Sequence, residues 1–144
     1  MRIETERMTL VPATLPMLRA ELTHPEEFAR LVGAEIAQPW PPPLNDEASN
    51  QWMIRHLEQN PETGGWAMWY YLLRRDGGQP PILIGNGGYK GPPTPDGTVE
   101  IGYSIVESYQ RRGLGSEAAR GLVDRAFEDP GVMRVIAETL PHLF

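Results

Sequence analysis

Apolar residues recur along this chain with two periods, and the change of period marks its elements. From Thr98 to Val106 the alternation is strict. Val99, Ile101, Tyr103 and Ile105 fall on one side, and Glu100, Gly102, Ser104 and Val106 on the other, which predicts a strand. Trp66 to Leu73 is apolar on both faces and predicts a buried central strand. Ile82 to Tyr89 predicts its partner, joined through Asp76-Gly77-Gly78, a hairpin signal. A looser alternation through Ile3, Met8 and Leu10 predicts one strand over 3–12, stopped by Pro12. Val132 to Thr139 predicts the last strand.

The helical period appears in four places. Leu114, Ala118, Leu122 and Ala126 stand four apart, so a helix is expected over 113–128, ended by Pro130-Gly131. Thr14 caps a helix to about His24, with Pro16 in its first turn and Leu15, Leu18 and Leu22 on one face. Pro25 to Val32 predicts a short second helix. Asn45 or Asp46 caps a third, to about Asn60, with Trp52, Met53 and Leu57 on its apolar side. The stretch Gln38-Pro39-Trp40-Pro41-Pro42-Pro43 cannot continue a helix.

Helices, then three antiparallel-looking strands, then strand–helix–strand, predict an α/β (α+β) sandwich with a mixed sheet. The 144 residues suit one domain spanning 1–144. The formal net charge of −6 argues against a phosphate backbone as partner, so no nucleic acid is expected. With no cysteine there are no disulfides, thiolate nucleophiles or Cys-based metal sites. His24, His56 and His142 lack zinc-ligand spacing, so no metal is expected. The opening MRIETERMTL lacks the apolar run of a signal peptide, and no stretch approaches the ~18 apolar residues of a membrane span. A cytoplasmic location without a membrane partner is therefore the expectation.

Chemistry concentrates in Val99 to Phe127, where a strand ends, a polar loop follows and two glycines open a helix. The first amides of a helix lack internal partners and lie at the positive end of its dipole. Gly113 and Gly115 let an anion approach the backbone, and Arg111 and Arg112 can reach phosphate oxygens as forked donors. Gln110-Arg111-Arg112-Gly113-Leu114-Gly115 thus has the parts to hold a pyrophosphate. It reads equally as a glycine-shaped turn with solvated arginines. Gly113 to Ala118 also fits the dinucleotide pattern G-x-G-x-x-A, but that motif belongs directly after a first strand. There is no Walker lysine.

Gln110 to Gly115 matches in full the acetyl-CoA signature Q/R-x-x-G-x-G/A of the GCN5-related N-acetyltransferases (GNAT), and the chain resembles that family. Glu100-Ile101-Gly102-Tyr103 before it and Ser116-Glu117-Ala118 after it resemble the subgroup of ribosomal-protein N-terminal acetyltransferases. Glu6 to Pro12 resembles the family's first strand and Glu138 to Pro141 the end of its fifth. The resemblance implies a mixed, mostly antiparallel central sheet flanked by helices, acetyl-CoA as cosubstrate and an amine as acceptor. It also implies that the backbone of Tyr103, Ser104, Ile105 and Val106 pairs with the pantetheine amides. The amides from Arg111 through Gly113, Leu114, Gly115 and Ser116 would then hold the pyrophosphate. The family continues past its fifth strand with a loop, a helix and a closing hairpin, where this chain ends at Phe144. An incomplete C-terminal half-site, an exposed apolar edge and association with a partner, a second copy included, are expected from that.

The acceptor amine must lose a proton, and a carboxylate can take it, directly or through water. Glu100, on the strand beside the expected thioester, is the candidate base, with Glu138 second; each also reads as a plain solvated charge. His56 reads as a surface histidine. Trp40 in its proline-rich loop borders the expected acceptor pocket, while Trp66, Trp69, Tyr70 and Tyr71 read as core and Tyr109 as packing. The expected activity is acetyl transfer to a primary amine, on a protein N-terminus or a small molecule. A non-catalytic acyl-CoA-binding or assembly module, and a dinucleotide-binding oxidoreductase domain, are the alternatives.

Overall fold

The computed structural model describes residues 1–43, 45–63 and 65–137. Its strands are β1 (Ile3–Glu4), β2 (Met8–Pro12), β3 (Glu35–Ile36), β4 (Met68–Leu73), β5 (Ile82–Tyr89), β6 (Thr98–Ile105) and β7 (Arg134–Ala137). Its helices are α1 (Leu15–Glu21), α2 (Pro25–Val32), α3 (Glu47–Gln59) and α4 (Leu114–Ala126). The seven-stranded sheet runs β1-β2-β4-β5-β6-β7, with β3 paired to β5 off this path. Only β3–β5 and β6–β7 are parallel. The mixed sheet expected from the order of elements is thus present, with α4 as the crossover between β6 and β7.

Each face of the sheet carries its own core. Val99, Ile101 and Ile105 of β6 meet Leu114, Ala118, Leu122 and Ala126 of α4 on one side. Leu18 of α1, Phe28 and Val32 of α2 and Tyr70, Leu72 and Leu83 of the sheet fill the other. Burial of such side chains contributes roughly 1.5–3 kcal/mol each, which outweighs the modest helix propensities of these short segments.

Four expectations are corrected. Residues 3–12 form two strands: the chain doubles back at Thr5–Arg7 and pairs Ile3 with Leu10. The Thr5 hydroxyl accepts the Met8 amide at 3.1 Å and stabilises that turn. β3 has no periodic signal because only Glu35 and Ile36 pair, opposite Ile82 and Leu83. Leu22 follows the end of α1 and is 38% exposed. Trp52 stands off the apolar stripe of α3, which runs through Met53, Ile54 and Leu57; it is 55% exposed and stacks on His56 at 4.9 Å. β4 starts at Met68, two residues later than expected, with Trp66 packed edge-on against Tyr89 at 4.8 Å.

One cross-brace fixes where α4 begins relative to the sheet. Glu117, in the first turn of α4, accepts the Arg7 amide at 2.7 Å, the Arg7 guanidinium at 2.7 Å and the Thr5 hydroxyl at 2.6 Å. Arg7 also donates to the Arg112 carbonyl at 3.0 Å. Partial burial pushes the Glu117 carboxyl up, but the Thr5 and Arg7 hydrogen bonds and the Arg7 charge outweigh it, and the net shift is downward. Glu117→Ala is therefore expected to destabilise the protein by about 2 kcal/mol at neutral pH, the scale of hydrogen bonds to a charged group. A group lowered in the folded state stabilises above its unfolded value, near 4.5 here, and loses that effect as pH falls through its folded value. Denaturant titrations should show the difference between wild type and variant shrinking below that pH.

Close approach of β5 and β6 depends on Gly87. It has φ +146, and a Cβ there would lie 2.2 Å from the Gly102 carbonyl oxygen and 2.5 Å from the Tyr103 Cα. Both neighbours are backbone and cannot give way without moving β6. Gly87→Ala should lower stability by about 3 kcal/mol by chemical denaturation, from strain and overpacking together.

Candidate active site

β6 is longer than its pairing with β7. The parallel ladder runs from Thr98↔Arg134 to Ile101↔Ala137, and β6 continues to Ile105. Among the described residues nothing pairs with Gly102–Ile105 on that edge. Bonds on the opposite edge decide which groups are presented there. The Lys90 amide donates to the Glu100 carbonyl and the Val106 amide to the Ile84 carbonyl, each at 2.9 Å. With an unbroken register between these points, even-numbered residues of β6 direct their N–H and C=O groups at β5. Tyr103 and Ile105 therefore present theirs to the open edge, and Ser104 and Val106 do not. Gln110 closes one position more, since its side-chain amide donates to the Ile105 carbonyl at 2.9 Å.

The loop after β6 makes one short 3-10 turn, Glu107–Tyr109, and reaches α4 through two left-handed residues, Arg111 (φ 64) and Gly113 (φ 76). A positive φ is uncommon outside glycine, so Arg111 is held there by its surroundings. Left-handed residues in such a loop turn successive amides toward a common concave side, an arrangement suited to anions. The first bond of α4 runs from the Glu117 amide to the Gly113 carbonyl at 3.1 Å. The amides of Gly113, Leu114, Gly115 and Ser116 have no partner within the helix, and no side chain caps them. Gly113 and Ser116 border a hollow shared with Thr5 and Glu117, and Gly115 faces the Tyr103 and Ile105 side chains of β6.

The signature residues divide by role. A Cβ on Gly115 would sit 3.4 Å from the Tyr103 ring and 3.6 Å from Ile105, so its bare side faces β6 and sets α4 close to the open edge. The Arg112 guanidinium lies 4.9 Å over the Tyr109 ring and donates to the Ser108 carbonyl at 3.1 Å. Tyr109 is thus the platform for Arg112. Arg111 is exposed.

On the α1–α3 side, Tyr70, Asn86 and Ser104 stand in one row across β4, β5 and β6. Asn86 is 2% exposed and donates to Asn45 at 3.1 Å; Ser104 donates to the Pro43 carbonyl at 2.8 Å. These bonds tie the proline-rich loop, whose Gln38-Pro39 and Trp40-Pro41 bonds are cis, to the strand with the open edge. Behind the row lies a cavity of about 260 Å³, bordered by Glu21, Pro41, Asn50, Trp52, Met68 and Asn86. Trp40 supports it from one side through Glu21, donating to that carboxylate at 2.9 Å. The Tyr70 hydroxyl donates to the other Glu21 oxygen. Burial raises the Glu21 carboxyl, partly offset by the hydrogen bonds from Tyr70 and Trp40.

Glu21 was missed in the sequence because a lone glutamate near a helix end carries no pattern. Glu100 lies on the same strand face as Ser104, four residues earlier, and is paired with Lys90 at 2.7 Å. His56 is packed under the exposed Trp52 ring on α3. Glu138 lies outside the described residues. Among the described residues no cluster of His, Cys, Asp and Glu is arranged to hold a metal, and no helix is long and apolar enough to cross a membrane.

Comparison with known proteins agrees with this geometry. An uncharacterized N-acetyltransferase, YjdG, from Bacillus subtilis strain 168 is 28% identical over 135 residues, 94% of this chain and 77% of that protein. An acetyltransferase from Agrobacterium tumefaciens C58 superposes with a TM-score of 0.59 at 25% identity, covering 98% of this chain and 75% of the other. RimL, a ribosomal L7/L12 alpha-N-protein acetyltransferase solved in complex with coenzyme A, shares the fold at a TM-score of 0.59 and 14% identity, over 95% of this chain and 73% of its own. The model of the acetyltransferase (GNAT) domain matches residues 7–142. With the free helix amides, the stretch of β6 unpaired among the described residues and this match in agreement, the chain belongs to the GNAT acetyltransferase family.

Proposed function

We propose that this chain transfers the acetyl group of acetyl-CoA to a primary amine at the open edge of β6. The observation that carries the reading is the meeting of two unsatisfied backbone surfaces: the edge presented by Tyr103 and Ile105, and the amides that open α4. A pyrophosphate suits the second, because its charge meets aligned N–H groups at the positive end of the dipole. Arg111 and Arg112 add forked donors from the loop. Gln110 braces that loop through the Ile105 carbonyl. An extended pantetheine arm suits the first surface, since its amides alternate donor and acceptor as a strand does.

In the transfer, the neutral amine nitrogen attacks the thioester carbonyl carbon. The C–N bond forms, the C–S bond breaks, and the sulfur leaves as thiolate to take up a proton. A free backbone N–H at the edge offers a donor to the oxyanion that develops on the carbonyl. The amine proton goes to a carboxylate, for which Glu100 is our candidate, acting through water. The acetyl-CoA and amine partners support neither a metal nor a nucleic acid in this scheme. RimL, which shares the fold, is a ribosomal L7/L12 alpha-N-protein acetyltransferase, and both peptide N-termini and small amines fit a cavity of about 260 Å³.

The test is thiol release from acetyl-CoA with and without a panel of primary amines. Amine-dependent release is the expected result. Tight binding without turnover would instead assign the chain as an acyl-CoA-binding module. Gly115→Glu places a carboxylate among the free amides and should weaken acetyl-CoA at least about tenfold, which isothermal titration reads. Glu100→Gln should flatten the basic-side rise of the pH–rate profile; an unchanged profile would remove Glu100 as base.

A further inference from the structure

Glu21 has an unusual environment for a carboxylate. It is 7% exposed, borders the cavity on the α1–α3 side and closes the last turn of α1, where the helix dipole disfavours negative charge. Its two partners, the Trp40 indole and the Tyr70 hydroxyl, are neutral donors, and no cation among the described residues pairs with it. Among the described residues no Lys, Arg or His borders that cavity, and a second carboxylate, Asp46, does. Asp46 is exposed and its oxygen accepts the Ser49 amide at 2.8 Å as the cap of α3, so water and the helix N-terminus meet its charge and no cation at the cavity serves Glu21. A buried carboxylate held by neutral donors is costly, and a bound proton or an arriving cation relieves that cost.

The position of Glu21 also decides which nitrogen it can meet. Its partner Tyr70 stands two strands from Ser104 along the row Tyr70–Asn86–Ser104, roughly 10 Å at the usual strand spacing. A nitrogen undergoing acetylation beyond β6 thus lies across two strand spacings from the strand that carries the Tyr70 anchor of Glu21. We infer that Glu21 is the acceptor-selecting residue, receiving a second cationic group carried by the acceptor at a distance from the amine that is acetylated. The inference rests on the acetyl-transfer reading for where the reacting nitrogen lies. Exposed Trp52 and Leu22 flank the mouth and supply apolar contact for the chain between the two charges. Two sources carry this chemistry: a long α,ω-diamine, and a peptide N-terminus followed by a basic side chain.

The experiment compares matched acceptors on the purified chain. A seven-carbon α,ω-diamine is set against heptylamine, and an Ala-Lys-Ala amide against an Ala-Met-Ala amide. Wild type should favour the cationic member of at least one pair by about tenfold or more in kcat/KM, mainly through KM, as expected for a buried charge pair. The favoured pair identifies the source. Glu21→Gln should bring that ratio to within about twofold, while heptylamine turnover and acetyl-CoA affinity stay near wild type, and Glu21→Asp should restore part of it. Equal preference in wild type and Glu21→Gln, or none in wild type, overturns the inference and leaves acetyl transfer standing. Quenching of tryptophan fluorescence by the diamine without acetyl-CoA gives a second readout, because Trp40 touches Glu21. Glu21-dependent quenching without any acetylation would sustain the cation site and remove acetyl transfer instead.

Discussion

A helix opens with amide groups that it cannot satisfy, and the architecture here follows from where α4 opens. Those amides belong to Gly113, Leu114, Gly115 and Ser116, and glycine at the cap gives them no side-chain oxygen. A buried start without partners is costly, so it must face solvent or an anion. β6 leads to this start through the short 107–109 turn and the two left-handed residues Arg111 and Gly113. The cross-brace from Thr5 and Arg7 to Glu117 then ties this start to the first hairpin. Glu117 thus takes up the nearest cation and leaves the amides to whatever anion arrives.

The stretch of β6 beyond its described pairing with β7 is the second constraint. Among the described residues nothing pairs with Gly102–Ile105 on that edge, and an unpaired edge invites another strand. The alternation of the ladder limits this invitation to Tyr103 and Ile105, and Gln110 narrows it again. On the opposite side of the same strand, Ser104 and Asn86 hold the proline-rich loop over the cavity that contains Glu21. In the proposed reading one strand therefore serves two surfaces, an edge for a chain-like ligand and a face for the acceptor. Gly87 and Gly115 keep the neighbouring elements close enough to serve both.

Much of this was legible in advance where the signal was local. The alternation in Val99–Ile105, the four-residue spacing in Leu114–Ala126 and the loop from Gln110 to Gly115 all depend on near neighbours in sequence. The contacts inside that loop were not legible, because they depend on the fold. Gly115 faces β6, Gln110 reaches back to Ile105, and Arg112 rests on Tyr109. Division of Tyr103 to Val106 into open and paired groups needs the register with β5, which no periodicity encodes. Glu21 was invisible for a related reason: its partners stand 19 and 49 residues away. Trp52 misled because an aromatic residue reads as core whichever way its helix turns.

The most direct measurement is amide exchange or amide chemical shift by NMR on titration with acetyl-CoA, with NAD as control. The account expects the largest changes at Leu114, Gly115 and Ser116 and at Tyr103 and Ile105, with smaller ones at Ser104 and Val106, whose amides face β5. Changes from acetyl-CoA confined to other regions, or an equal response to NAD, would contradict it.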